Sequence, residues 1–255
     1  MVYRLSSRAA QPINDLKVTL NGVEIERVDE FKFLGVYIDE YLTWKPHMNK
    51  LLSKMYRNLG VVRKISCFLN RKTLIQMYHS MIMSHIRYCI TVWHHSQVAL
   101  RKKIQACANK FLRMIYFMKN RESVKPLMVE NRILSANQIH HMEVAKIMQR
   151  VAIGMIPVPF IDTFKNEIRT SSMVTRRSSM YFQRSTAFEK CKQSISYFGP
   201  SVWNSVPIDV KIISEIGISS DTFDSNSENL NQGRSILKKF TKRMKKYALE
   251  NVTFI

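Results

Sequence analysis

The side chains of this 255-residue chain that are best suited to chemistry are its cations. Lysine and arginine give a formal net charge of +21, and no acidic residue occurs between Tyr41 and Arg121. A solvated helix usually carries both signs, because opposite charges three or four residues apart stabilise it. A face of one sign repels itself, so the sequence predicts a polyanionic partner, with nucleic acid ahead of an anionic membrane. A basic face that serves only solubility is the alternative.

The candidate phosphate-binding residues lie on two predicted helices. On a helix predicted from about Val98 to Met118, four cations share the side opposite an apolar stripe, where they can follow a phosphate backbone. Three more cations lie on a helix that begins at Pro46. The first group is Lys102, Lys103, Lys110 and Arg113, and the second is Lys50, Lys54 and Arg57. A terminal helix over 235–250 repeats the pattern, but lysine clusters at a chain end need no partner.

No catalytic, metal or cofactor site is predicted. Polymerases hold two metal ions with converging carboxylates, and this chain has no Asp-Asp pair. Its acidic neighbours, Asp29-Glu30 and Asp39-Glu40, lie beside a predicted strand, so we assign Asp39 to the strand end rather than to a metal. Adjacent residues such as His94-His95 and His140-His141 diverge by about 100° on a helix, and no cysteine or carboxylate is expected to complete a site with them.

Periodicity places these residues in a mainly α fold with a small N-terminal antiparallel β unit, a helical bundle and a small C-terminal appendage. Asn21-Gly22 predicts a type I′ hairpin over 17–27. The aromatic run 31–38 is the third strand, with Gly35 at a bulge or close backbone approach. Four helices should follow up to Pro157. The second of these, capped by Asn70, is expected to bury Leu74, Tyr78, Met81, His85 and Val92.

The predicted organisation has five parts. They are a flexible leader (1–16), a hairpin plus strand (17–44), a helical domain (45–160), a basic linker (161–190) and a C-terminal subdomain ending in a basic helix (191–255). Four widely spaced cysteines favour a reducing compartment. Neither a signal peptide nor an apolar run of membrane-spanning length is found. We therefore expect an intracellular protein of the nucleus, the cytoplasm or both, without a membrane partner.

Several segments of the chain carry motif residues that can be compared with a known family. The segment 33–47 contains Phe33-Leu34-Gly35-Val36, Ile38-Asp39, Leu42, Trp44 and His47. It resembles the FLG-x-x-ID-x-x-L-x-W-x-x-H signature of non-LTR (LINE-type, jockey-like) retrotransposon reverse transcriptases. Further matches are Tyr88, Val92 and Trp93, with Cys89 where the family usually has glycine, and Gln105, Lys110 and Arg113-Met114-Ile115. Near the C-terminus, Gly199-Pro200, Trp203-Asn204 and Pro207 match the block G-P-x-l-W-N-x-l-P, and Phe240 and Tyr247 match its last helix.

The resemblance implies the thumb and C-terminal segment of an RNA-directed DNA polymerase, truncated and not catalytic alone, because the family's catalytic aspartates lie upstream in the palm. It implies that Phe33, Leu34 and Gly35 are primer-grip-like, and that the chain holds RNA, DNA or an RNA–DNA hybrid beside a palm-bearing segment. Its structural motif residues would be Trp44, Trp93, Gly199, Pro200, Trp203 and Asn204. A stand-alone nucleic-acid-binding protein derived from such an element, and an inert remnant of one, are the alternatives.

Overall fold

The computed structural model describes residues 17–157, 164, 181, 191–211 and 227–250. Helices dominate this part of the chain, and two small antiparallel hairpins precede them, which confirms the mainly α fold with an N-terminal β unit. The strands are β1 (Thr19–Leu20), β2 (Val23–Glu24), β3 (Glu30–Phe33) and β4 (Val36–Asp39). The helices are α1 (Lys45–Ile65), α2 (Arg71–Tyr78), a π-helical segment (His79–Met83), α3 (Ser84–Arg87), α4 (Ile90–Trp93), α5 (Val98–Ile115), α6 (Lys125–Glu130), α7 (Ala136–Ala152), a 3-10 turn (Cys191–Gln193), α8 (Ile195–Ser205) and α9 (Ser227–Glu250).

These elements form two compact units. The first contains β1 to α3 and α5, and the second contains residues 90–92 and α6 to α9. The domain predicted over 45–160 is therefore divided, because its helices after Val124 belong with the C-terminal helices. Periodicity identifies the buried face of each helix, but it does not say which helices share a core. The leader 1–16 and most of the linker 161–190 lie outside the described residues.

The β unit is two separate hairpins, so the predicted three-stranded arrangement is wrong. Asn21 and Gly22 have φ values of 52° and 80°, which confirms the predicted turn between β1 and β2. Leu34 and Gly35 have φ values of 46° and 83° and form a second two-residue turn, which pairs Phe33 with Val36 across β3 and β4. Gly35 marks a turn rather than a bulge. The turn was not predicted because Leu34 lies in a largely apolar run and leucine seldom adopts a positive φ.

The first unit is built on α1 and α5, each of which buries one side. Pro46 lies in the first turn of α1, where its missing N–H has no helical acceptor to lose. Met48 and Met55 of α1 are fully buried, as are Cys107 and Phe111 of α5. The two helices pack directly against each other, so their outer surfaces form the solvent-facing side of this core.

The helix after Asn70 begins as predicted but then changes pitch. The Asn70 side chain accepts a hydrogen bond of 2.8 Å from the Thr73 amide, which caps α2. The π-helical segment that follows has more residues per turn, so Ile82 and Ile86 are buried where Met81 and His85 were expected. Val92, which was also expected to be buried, is exposed. The Asn58 amide of α1 donates to the Met81 carbonyl at 2.8 Å, which satisfies one acceptor within the π-helical segment.

The second unit packs α8 and α9 against α7. Ser135 and Gln138 form a capping box at the start of α7. Gly199 of α8 lies so close to α7 that a Cβ there would be 2.7 Å from the Met148 sulfur. Two residues of the predicted linker are packed here: Phe164 is buried, and the backbone of Tyr181 exchanges hydrogen bonds of 2.8 and 3.1 Å with the Asn204 side chain.

The terminal helix is longer than the predicted 235–250, since α9 begins at Ser227. Ile236, Phe240, Met244 and Ala248 form its buried stripe. Tyr247 is half-buried and donates a 3.5 Å hydrogen bond to the Ser205 carbonyl. None of the helices in the described residues combines the length and apolar character that crossing a bilayer requires.

Replacing Cys89 with glycine should raise the free energy of unfolding by about 0.5–1 kcal/mol. Cys89 has a φ of 49°, a left-handed conformation that glycine adopts without steric cost. This also gives a physical reason for the glycine that the resembled family usually has there. The shift of the urea midpoint measures the effect, with Cys89→Ala as the control because alanine keeps the steric cost. Equal midpoints for the two variants would show that the backbone strain is not relieved.

Candidate nucleic-acid interface

The outer side of α5 carries the predicted cluster of cations. Lys102, Lys103 and Lys110 are exposed and Arg113 is half-buried. At about 100° per residue the four span an arc of roughly 100°, opposite the buried Ile104, Cys107 and Phe111. None of the three lysines forms an ion pair with an acidic side chain among the described residues. The α5 lysines thus present uncompensated positive charge to solvent.

Arg113 differs from the three lysines because it is engaged within the protein. Its Nε donates a 2.9 Å hydrogen bond to the Glu122 carbonyl, and the Glu122 carboxylate accepts one of 3.3 Å from the Lys119 amide. Arg113 therefore braces the turn that follows α5. Its substitution would disturb that turn as well as the surface charge, so tests of binding are cleaner on the lysines.

The three predicted cations of α1 do not join the α5 cluster. Lys50 Nζ lies 2.7 Å from Glu30 Oε1 and 3.6 Å from the centre of the Tyr37 ring. Lys54 faces His85, whose pKa is lowered by burial and then by this neighbouring charge. On the helical wheel Lys50, Lys54 and Arg57 are about 100–160° away from Tyr56, the residue next to Lys110 of α5. The predicted set of seven therefore forms two separate groups on opposite edges of α1.

The α1 edge beside α5 contributes residues that the sequence reading did not select. Ser96 donates a 3.2 Å hydrogen bond to the Met48 sulfur, and Lys110 Nζ lies 5.8 Å from the Tyr56 ring centre, so α1 and α5 run in the same direction. Helical spacing places Lys45 and Arg63, both exposed, on the edge that carries Tyr56. We call this surface the α1–α5 face; it comprises Lys45, Tyr56, Arg63, Lys102, Lys103 and Lys110.

Three buried titratable groups of the first unit, Cys107, Tyr78 and His47, are uncharged at neutral pH. Burial raises the pKa of the Cys107 thiol to about 11, and it also raises the pKa of the Tyr78 hydroxyl. Burial lowers the pKa of His47, whose ring nitrogens have no hydrogen-bond partner in the described residues. The charge of the face therefore comes from its lysine and arginine side chains.

The residues that resemble the reverse transcriptase signature meet elsewhere in the first unit. The Tyr88 hydroxyl donates to the Leu34 carbonyl, and the Trp93 indole donates to the Tyr88 carbonyl at 3.0 Å. The ring centre of Trp93 is 6.1 Å from that of His47. Three segments far apart in sequence thus hold the β3–β4 turn against the helices.

The predicted primer-grip-like residues form the tip of the second hairpin. Phe33 is 55% exposed and Leu34 is 75% exposed, and Gly35 follows at the turn. Of the predicted structural residues, Trp93 is buried, whereas Trp44 is half-buried at the N-terminus of α1. In the second unit Gly199, Pro200 and Trp203 are buried and Asn204 is half-buried. Trp93, Gly199, Pro200 and Trp203 thus belong to the buried interior of their units.

No family model matches this chain, and neither a curated protein nor a solved structure matches it. The resemblance to non-LTR reverse transcriptases therefore rests on the motif residues named above. Four of these motif residues, Leu34, Tyr88, Trp93 and His47, contact one another in the first unit.

Proposed function

We propose that the α1–α5 face binds the sugar-phosphate backbone of a nucleic acid, within a segment that acts as the thumb of a non-LTR-type reverse transcriptase and grips primer–template. The observation that carries the proposal is the set of three exposed α5 lysines without an acidic partner in the described residues. Each such lysine that neutralises a phosphate releases condensed counterions, which drives binding. No acidic residue occurs over 42–121. No carboxylate in the neighbouring sequence therefore competes with a phosphate for these lysines.

In this proposal the catalytic step belongs to another segment. Phosphoryl transfer by polymerases needs carboxylates that hold two metal ions, and the chain offers no Asp-Asp pair for that role. A palm-bearing reverse transcriptase segment would supply the carboxylates. This chain would add affinity for the duplex and would position it.

Replacing Lys102, Lys103 and Lys110 together with glutamine should flatten the salt dependence of binding. Glutamine keeps the helical propensity of lysine, so the variant should fold while each lost phosphate contact reduces the log–log slope by about 0.9 on B-form DNA. We expect the slope to fall by roughly two to three for a 20-base-pair duplex or RNA–DNA hybrid of about that length. Fluorescence anisotropy between about 50 and 200 mM salt measures it.

The matched control removes the same charge from the second unit. Lys238, Lys242 and Lys245 are exposed on α9, and their replacement by glutamine gives a protein of equal net charge. If binding depends on the α1–α5 face, the control should keep the parent's slope. A folded α5 variant whose slope equals the parent's, or a control that loses as much, would overturn the assignment.

A further inference from the structure

Tyr56 is an unusual component of the α1–α5 face, because its ring is open to solvent. The side chain is 43% exposed, whereas the core aromatics Tyr78, Phe111 and Trp93 are about 1% exposed or less. The helical neighbours of Tyr56 three and four residues away are Leu52, Ser53, Leu59 and Gly60. Ser53 and Gly60 are too small to cover the tyrosine ring, and Leu52 and Leu59 leave it 43% exposed.

Gly60, four residues after Tyr56, leaves an open space on the surface of α1. A Cβ built on Gly60 would meet no heavy atom within 4 Å. Glycine lowers helix stability in the interior of a helix such as α1, and no positive φ requires it at this position. The surroundings and the backbone conformation of Gly60 thus give no reason for glycine at this position.

One cation lies beside this ring, and three more lie on the same face at a distance of two or more helical turns. Lys110 of α5 lies 5.8 Å from the ring centre, at the outer limit of a cation–π contact. Lys103 lies on the same side of α5 two turns earlier, and Lys45 and Arg63 lie on the same edge of α1 as Tyr56. An open aromatic ring among cations is the composition of sites that bind single strands, where bases stack on the ring and cations contact the phosphates.

We propose that Tyr56 stacks on an unpaired base, so that the α1–α5 face binds a single-stranded stretch of nucleic acid. This inference rests on the proposed function and specifies its ligand, since a paired base is stacked within its duplex and cannot reach the ring. In a primer–template the ligand is the unpaired template strand. Lys103 and Lys110 hold the phosphates on either side of the stacked base.

Replacing Tyr56 with alanine should weaken binding of a single-stranded oligonucleotide of about 12 residues by roughly 5- to 150-fold, the range reported by alanine substitution at stacking aromatics. Tyr56→Phe keeps the ring and should bind within about twofold of the parent. The salt slope of Tyr56→Ala should stay at the parent value, because no phosphate contact is removed. Its affinity for a blunt duplex of equal length should also be unchanged. A merely structural role for Tyr56 would weaken both ligands together.

Gly60→Leu provides a second variant that does not risk unfolding. Side chains on a helix lean toward its N-terminus, so leucine at 60 would lie over the ring of Tyr56 and block a base. Leucine is also the better helix former, so this variant should unfold at a higher urea concentration while it binds the single strand as weakly as Tyr56→Ala. Gly60→Ala is the control, since it stabilises the helix equally but leaves the ring accessible.

The outcomes separate this inference from the function on which it rests. If the lysine variant flattens the salt slope while Tyr56→Ala and Gly60→Leu bind the single strand like the parent, the backbone grip stands and stacking is refuted. If the folded parent binds neither single strand nor duplex at about 50 mM salt, both are refuted. Selective loss of single-strand affinity in both variants, with Gly60→Ala unaffected, establishes Tyr56 as the stacking residue.

Discussion

Replacing Trp203 with alanine should lower the free energy of unfolding of the second unit by about 3–5 kcal/mol. The indole is 0% exposed. Its ring centre lies 6.1 Å from Phe240 of α9 and 6.5 Å from Tyr181, and the Lys211 ammonium is 5.2 Å from it. Three separate parts of the chain therefore meet on this side chain. Alanine would leave a cavity that they could close only by moving together.

Trp203→Phe tests whether the missing side-chain volume accounts for the loss of stability in Trp203→Ala. Phenylalanine fills most of the space, and it removes an indole N–H that has no hydrogen-bond partner among the described residues. A buried, unpaired donor is itself unfavourable, so this variant should lose less than half as much stability as Trp203→Ala. Urea unfolding followed by circular dichroism measures both variants. A urea midpoint of Trp203→Ala equal to that of the parent would contradict a role for Trp203 in the core.

Local signals in the sequence were sufficient for the helices and their buried stripes. The stripes of α1 and α5 follow from spacings of three and four. The Asn70 cap, the capping box at Ser135 and the Asn21-Gly22 turn each depend on residues only a few positions apart. Interactions of such short range are determined almost entirely by the neighbouring sequence. For the same reason the fold class could be predicted from the sequence.

The errors arise where distant parts of the chain decide the structure. The β3–β4 turn places Leu34 at positive φ, and the Tyr88 hydroxyl, 54 positions later in the sequence, donates to its carbonyl. The π-helical segment displaced the buried stripe by one residue, and an amide from α1 satisfies one of its carbonyls. Tyr181 is held by Asn204, 23 positions away. Periodicity within one segment contains no information about such partners.

The candidate nucleic-acid interface was likewise predictable only where it depends on residues close together in the sequence. Helical spacing alone predicts that the α5 cations share a side, and they do. Whether Lys50, Lys54 and Arg57 belong with them depends on which edge of α1 faces α5, and that is set by tertiary packing. The same packing brings Tyr56 beside Lys110. An exposed aromatic among lysines could have been noticed in the sequence, but its neighbour on another helix could not.

Replacing Asp39 with alanine should destabilise the first unit by about 2–4 kcal/mol, since it removes three hydrogen bonds to a buried carboxylate. Asp39 is 8% exposed. One carboxylate oxygen accepts from the Thr43 amide at 2.9 Å and from the Thr43 hydroxyl at 2.8 Å, and the other accepts from the Trp44 amide at 2.8 Å. These bonds hold the link between β4 and α1, where Trp44 has a φ of 57°. Without them two backbone donors lose their acceptor.

Two further variants distinguish the roles of the carboxylate and the hydroxyl. Thr43→Val removes only the hydroxyl and should lose about 1 kcal/mol. Asp39→Asn keeps one carbonyl oxygen but loses the charge and one acceptor, so its loss should lie between those of Thr43→Val and Asp39→Ala. This order of urea midpoints is expected if Asp39 acts by capping the turn. A midpoint for Asp39→Ala equal to that of the parent would contradict the assignment.

The same variants test whether Asp39 could instead hold a metal ion. A ligand that binds only the folded state stabilises it by mass action, in proportion to the logarithm of its concentration. A metal role would therefore make the parent more stable in millimolar Mg²⁺, and Asp39→Ala would lose that increment. We expect the urea midpoints of both proteins to be unaffected by Mg²⁺, because both oxygens of this carboxylate already accept hydrogen bonds from Thr43 and Trp44. An Mg²⁺-dependent stabilisation found in the parent and absent from Asp39→Ala would replace the capping role with a metal site.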